Sequence, residues 1–211
     1  MFALTAAVAL AQVPFPEILT SLQRTEAGLH GDWWRTFTAL FVQDGGPIGA
    51  VTNLAFLAVI GTIAEQFLSR PRWLAHYFGI GLLCELVAYS WQPVGGGNSI
   101  AVCGLAGAVT LAFWRGVSRL PDISPVALLV WCGALLATLY PPLIIVGFAP
   151  IGLVLRLGRE SPQARRLTAF TVIAIAVALA VANNIHGAAL LFGIALAFAT
   201  VPGPVPRRSH P

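Results

Sequence analysis

Two polar residues in the most apolar parts of the chain have types that do chemistry together. Ser99 follows Gly97-Asn98 at the start of one apolar run, and His186 stands between Ile185 and Gly187 at the start of another. A hydroxyl or an imidazole surrounded by hydrocarbon is costly unless it meets a partner or lines a wet cavity. A serine facing a histidine is the minimum equipment for nucleophilic acyl transfer, because the imidazole takes the proton that makes the hydroxyl nucleophilic. For the two to meet, the elements that carry them must place both at one depth.

The composition says what kind of elements these are. Of 211 residues, 57% are hydrophobic and only 9% charged, too few charges for a soluble surface but suited to a polytopic, all-α membrane bundle. The net charge of +4 comes from twelve arginines and no lysine. These arginines sit in pairs beside apolar runs, not on one basic face, which argues against nucleic-acid binding. The arginine-only, alanine-rich usage points to a high-GC bacterial genome. Cys84, Cys103 and Cys132 fall inside apolar runs without metal-ligand or paired-bridge spacing, and read as small core residues.

Apolar runs occupy about Phe2–Val13, Ile48–Leu68, Trp73–Trp91, Ser99–Trp114, Ile123–Tyr140, Leu143–Leu155, Leu167–Ala182 and Ile185–Val201. Several fall short of the ~20 residues needed for an undisturbed bilayer, but suffice where the membrane thins. Ile123–Leu155 is either one long helix or two short ones broken at Pro141-Pro142, so seven or eight membrane segments are expected. Arginine placement favours eight. If Arg115 and Arg119 mark a cytoplasmic end, then Arg70 and Arg72 share that side. The clusters Arg156, Arg159, Arg165, Arg166 and Arg207, Arg208 do so only if Ile123–Leu155 crosses twice. Ten arginines then lie inside and two, Arg24 and Arg35, outside, with both termini cytoplasmic. This parity starts the Ser99 and His186 helices at the same outer depth. Phe2–Val13 lacks a basic flank and contains Ala9-Leu10-Ala11-Gln12, similar to a signal-peptidase site. It reads as a retained first helix, because the outward loop after it fits the parity. The chain reads as one domain, 1–211, with an outer loop at 14–47 and a cytoplasmic tail at 202–211.

Ser99, Cys103 and Gly107 form one stripe of small residues; His186, Ala189, Gly193, Ala197 and Thr200 form a second. Such stripes let membrane helices approach backbone to backbone. Asn53 lies one to two turns into its helix on the outer side, where its amide serves equally as an oxyanion donor or as an interhelical bond. Glu65 reads as snorkelling or pairing with Arg70 or Arg72. Glu85 and His76, nine residues apart, face different sides and read as structural.

In this order the residues resemble one family, the rhomboid intramembrane serine proteases. Gly31-Asp32-Trp33-Trp34-Arg35-Thr36-Phe37-Thr38 is similar to the family's tryptophan–arginine motif, and Asn53 with Glu65 to the pair on its second helix. Gly97-Asn98-Ser99 with Gly104 and Gly107 resembles its glycine-x-serine motif, and His186 with Gly187 and Gly193 its last-helix histidine and glycine seam. The resemblance implies Ser99 as nucleophile, His186 as general base, and Asn53 with the Ser99 backbone N–H as oxyanion donors. It also implies a transmembrane protein substrate in the lipid bilayer of the cell membrane, with no metal and no cofactor. Four positions depart from the pattern. Gly49 and Gln43 stand where histidines are usual, Ile100 where glycine follows the nucleophile, and Cys103 where an aromatic ring is common. The 87 residues from Ser99 to His186 exceed what one intervening helix needs and fit one additional hairpin, Ile123–Leu155. A pseudoprotease that binds membrane helices is the alternative on the same fold. A small transporter using Glu85, His76 and Asn53 ranks last, because the chain has no internal repeat.

Overall fold

In a computed structural model, residues 1–158 and 160–203 are described; Arg159, Arg207, Arg208 and the expected tail from 204 onward lie outside the described residues. The fold is all-helical around one central helix, α7 (Ser99–Arg115), buried continuously from Ile100 to Phe113. A helix apolar all round belongs inside a bundle, and the alanines and glycines of α7 let neighbours approach from every side. It stops where Gly116 turns left-handed (φ 68°), with Val117 N–H bonding Ala112 O and Gly116 N–H bonding Phe113 O. Only glycine adopts that turn cheaply.

Around α7 stand α4 (Gly46–Glu65), α5 (Arg70–Leu74) running through a π-helical turn (Ala75–Gly79) into α6 (Ile80–Trp91), α8 (Ser124–Ala137), α11 (Pro162–Val181) and α12 (Ile185–Thr200), while α1 (Phe2–Ala11) packs against α4. Proline in the first turn of α4, α8 and α11 starts each helix where its missing N–H costs nothing. Among the described residues, two helices are long and apolar enough to cross a membrane, Gly46–Glu65 and Pro162–Val181; the other apolar helices are shorter.

The α12–α7 interface is the most extensive in the molecule. A Cβ on Gly107 would lie 2.5 Å from the backbone of Gly193 and Ile194, and one on Gly193 2.6 Å from Gly104 O. The two small stripes are therefore a backbone-to-backbone seam. Gly187 plays the same part against α11, where a Cβ would lie 2.3 Å from Ala180 N.

Of the two alternatives for Ile123–Leu155, one long helix or two short ones, the chain takes the broken form. After α8 the chain breaks at the 3-10 turn Pro141–Leu143 and returns through α9 (Ile144–Phe148) and α10 (Ile151–Leu157), with Gly147 seated against Gly133. Helix α8 contacts α4, α7 and α11, and so stands between α4 and α11.

The outer loop expected at 14–47 is more structured than a loop. It holds α2 (Glu17–Leu22), a 3-10 turn (Glu26–Leu29), α3 (Arg35–Thr38) and a buried stretch from Ala39 to Gln43. Its polar composition hid this, because each helical piece is under two turns and its periodicity is too short to read.

Candidate active site

Ser99 is the first residue of α7, and the glycine loop before it is held from the outer segment. Arg24 and Gly95 exchange both backbone hydrogen bonds (2.8 and 3.1 Å), and Gly97 N–H donates to Ala39 O at 2.8 Å. Gly96 N–H donates to Asp44 Oδ2 at 3.0 Å. A Cβ on Gly96 would lie 2.6 Å from Val42 Cγ2, so the close approach demands glycine. The loop is anchored by a buried ion pair, Arg24 with Glu85 of α6, and by two Arg24 bonds to Gln92 O at 3.1 and 2.7 Å. Glu85, which reads as structural from the sequence, is thus paired with Arg24.

His186 is the second residue of α12. The turn from α11 passes through Asn183 in the left-handed region (φ 54°) and places Asn184 as N-cap, its side-chain oxygen accepting His186 N–H at 3.1 Å. Ile185 N–H donates to Gln92 Oε1 at 3.0 Å, tying the start of α12 to the end of α6.

These two helix starts bring Ser99 Oγ within 2.8 Å of His186 Nε2. Both residues are half-buried. Asn53 stands on the other side of the loop: a Cβ built on Gly97 would lie 3.5 Å from Asn53 Nδ2 and 3.5 Å from Ser99 Oγ. Asn53 Nδ2 donates to Gln43 Oε1 at 2.7 Å, and Gln43 Nε2 donates to Asn98 Oδ1 at 2.8 Å. Gln12, at the end of α1, clasps the Gln43 backbone with bonds of 3.1 and 2.9 Å. Gln43 is 4% exposed. Where the sequence shows only a departure from the family's histidine, the fold has a buried amide that holds Asn53 and the residue before Ser99 together. Gly49, one turn before Asn53, has open space at its Cβ, and Ile100 is buried.

The remaining expected positions lie elsewhere. Arg35 folds back on its own segment, bonding Asp32 Oδ2 at 2.9 Å and Thr20 O at 2.9 Å beside an exposed Trp34. Glu65 is exposed, and among the described residues it forms no ion pair with Arg70 or Arg72. His76 bonds Gly104 O at 3.0 Å and Thr200 Oγ1 at 2.8 Å. Glu85, His76 and Asn53, the polar path of the transporter reading, thus have three separate sets of partners. All three cysteines are free and buried.

Sequence reasoning missed Arg24, Gln12, Gln43, Gln92, Asn98 and Asn184 as parts of the site. Only Asn184 carried a local signal, an Asn immediately before an apolar helix. The other contacts join residues far apart in the chain.

A hydroxyl in contact with an imidazole, where the buried α7 and the half-exposed α12 both begin, with an amide across the glycine loop, brings together the groups that acyl transfer uses. The Rhomboid domain model matches residues 30–203, and the chain belongs to the rhomboid family of membrane proteins, whose members are mostly serine proteases. No curated protein matches the chain, and no solved structure does.

Proposed function

We propose that this protein is an intramembrane serine endopeptidase, cleaving transmembrane segments of membrane proteins near their outer ends with a Ser99–His186 dyad. The observation that carries the reading is the 2.8 Å contact between Ser99 Oγ and His186 Nε2 beside the Asn53 amide. His186 Nε2 takes the hydroxyl proton as Ser99 Oγ attacks the scissile carbonyl carbon. The oxyanion is met by Asn53 Nδ2 and by the Ser99 backbone N–H, one of the first-turn donors a helix cannot satisfy itself. The imidazolium then gives its proton to the leaving amine, leaving an acyl-enzyme. Water, deprotonated by the same imidazole, hydrolyses that ester and returns Ser99 to its hydroxyl.

In this reading the chain is one domain with eight crossings of the cell membrane and both termini cytoplasmic. The shorter helices sit in a locally thinned bilayer, and the 14–47 segment lies on the outer side with both helix starts of the dyad. A fluorophosphonate probe tests it: wild type is labelled and Ser99→Ala is not. A wild type that stays unlabelled sinks the protease reading.

A second reading, a helix-binding pseudoprotease on the same fold, rests on one observation. With Gly49 in place of a histidine, Asn53 is left as the side-chain donor on that helix face. One of its two N–H groups is already given to Gln43.

A further inference from the structure

We propose that Asn184 is a positioning residue that fixes which ring nitrogen of His186 carries the proton. This deepens the Ser99–His186 reading and rests on it for its effect on rate, though not for its effect on the imidazole itself.

The assignment follows from donors and acceptors. Asn184 Oδ1 lies 3.1 Å from the His186 backbone N–H and 2.7 Å from His186 Nδ1. A backbone N–H only donates, so the amide atom facing it must be the oxygen, and the orientation of the Asn184 side chain is settled. Its nitrogen then faces Thr138 Oγ1 at 3.2 Å, and the Thr138 hydroxyl is free to accept because its own proton goes to Leu135 O at 2.7 Å. An amide oxygen only accepts, so the nitrogen 2.7 Å away, Nδ1, must bear the ring proton. A neutral imidazole with its proton on Nδ1 has its lone pair on Nε2, the atom that faces Ser99 Oγ at 2.8 Å. The opposite tautomer would set an N–H against the hydroxyl and leave Nδ1 with nothing to give Asn184.

The orienter is itself held. Asn184 is 5% exposed, and its backbone N–H bonds Leu179 O at 2.9 Å behind the left-handed Asn183. Thr138 follows α8, so the additional hairpin reaches the site through this residue. A neutral amide does here the orienting that a buried carboxylate does in a Ser-His-Asp triad. It adds no second charge to a site of low dielectric, where an unpaired carboxylate would be costly.

The test reads the tautomer directly. Protein with ¹⁵N-labelled histidine in lipid nanodiscs is examined by NMR, with His186 assigned from the signal lost in His186→Gln. Wild type at neutral pH is expected to show Nδ1 protonated and Nε2 bare. Asn184→Ala is expected to show substantial Nε2–H tautomer, and Asn184→Asp, which keeps an acceptor, to restore the wild-type pattern. In parallel, kcat on a reporter substrate should fall ~10²–10⁴-fold in Asn184→Ala with KM little changed, and recover in Asn184→Asp. A helix cap lost for stability alone moves neither the tautomer nor the kcat of the folded fraction. Should Asn184→Ala fail to fold, Asn184→Gly, which removes the same acceptor and is better tolerated at a helix N-cap, is read the same way. An unchanged tautomer ratio in the folded variant overturns the proposal. A shifted tautomer in a protein that never labels with the probe upholds Asn184 and removes the protease instead.

Discussion

Removing the Asn53 amide separates an enzyme from a look-alike. With the hydroxyl and imidazole already in contact, what remains is to stabilise charge on the carbonyl oxygen. Asn53 offers two N–H groups, of which one goes to Gln43 Oε1 at 2.7 Å; the other is the side-chain donor on the Gly97 side of Ser99. Loss of one such donor costs about 2.7–4 kcal/mol of transition-state stabilisation, or ~10²–10³ in kcat. Position 49 has no side chain to compensate, so Asn53→Ala should reach at least ~100-fold here. It also strips Gln43 Oε1 of its partner in a buried site, a loss of about 1–3 kcal/mol in stability. Rate must therefore be measured per folded enzyme, at saturating substrate, in detergent or proteoliposomes. Asn53→Asp is the shape control: it fills the same space, donates nothing, and brings negative charge towards an anion, so it should be at least as slow. Gly49→His should raise the rate, since that position lies on the same helix face one turn away with open space at its Cβ. If both Asn53 variants cleave within about threefold of wild type, far less than the loss of a donor requires, Asn53 is a packing residue and the oxyanion argument is wrong.

Ser99→Ala and His186→Ala should each remove nearly all cleavage, and the double variant should be little worse than either, because the two groups share one step; additive losses would show they act separately. Gly193→Leu drives a side chain into the Gly104 backbone, 2.6 Å from the first added carbon, and should unfold the α7–α12 seam. Thermal unfolding in detergent would show it, and a midpoint equal to wild type would contradict the seam. Arg24→Met leaves Glu85 buried without its partner, a loss of about 3–5 kcal/mol. Arg24→Met with Glu85→Leu should recover much of it in the same unfolding assay, and no recovery would mean that Arg24 acts mainly through Gln92 and Gly95.

What could be read from the chain was what local pattern encodes. Apolar runs, glycine and alanine spacing and the placement of arginines marked the helices, the α7–α12 seam and the hairpin at Pro141-Pro142. Residue type with helix position singled out Ser99 among eight serines and His186 among four histidines, and the fold brings these two into contact. The rest depended on pairings between distant residues. Arg24 meets Glu85 across 61 positions, and Gln12 meets Gln43 across 31. Nothing in the neighbourhood of either residue announces the other. Gln43 was visible only as the wrong residue at a familiar place, though its long amide spans the gap between Asn53 and Asn98. The helical turns inside 14–47 were hidden for a different reason: pieces of four to six residues carry too little periodicity to stand out from a polar loop.

The chemistry around the dyad also bears on whether the missing histidine disables the site. Apart from Arg24, Glu85 and Asp44, the groups that position Ser99 and His186 are mostly neutral amides: Asn184 on the imidazole, Gln92 on the start of α12, and Gln43 between Asn53 and Asn98. Neutral amides orient their partners without the desolvation penalty of an ion, which suits a partly buried site in a membrane protein. The glycine at position 49 breaks none of these bonds, because each of them is made by another residue. If the proposed function holds, its cost is confined to one donor opposite the carbonyl oxygen, because the Ser99–His186 contact and the bonds around it do not involve position 49. A loss of that kind lowers a rate by a finite factor and leaves the covalent step open. Reaction with a serine-directed probe is therefore the expected behaviour even if natural substrates are cleaved slowly.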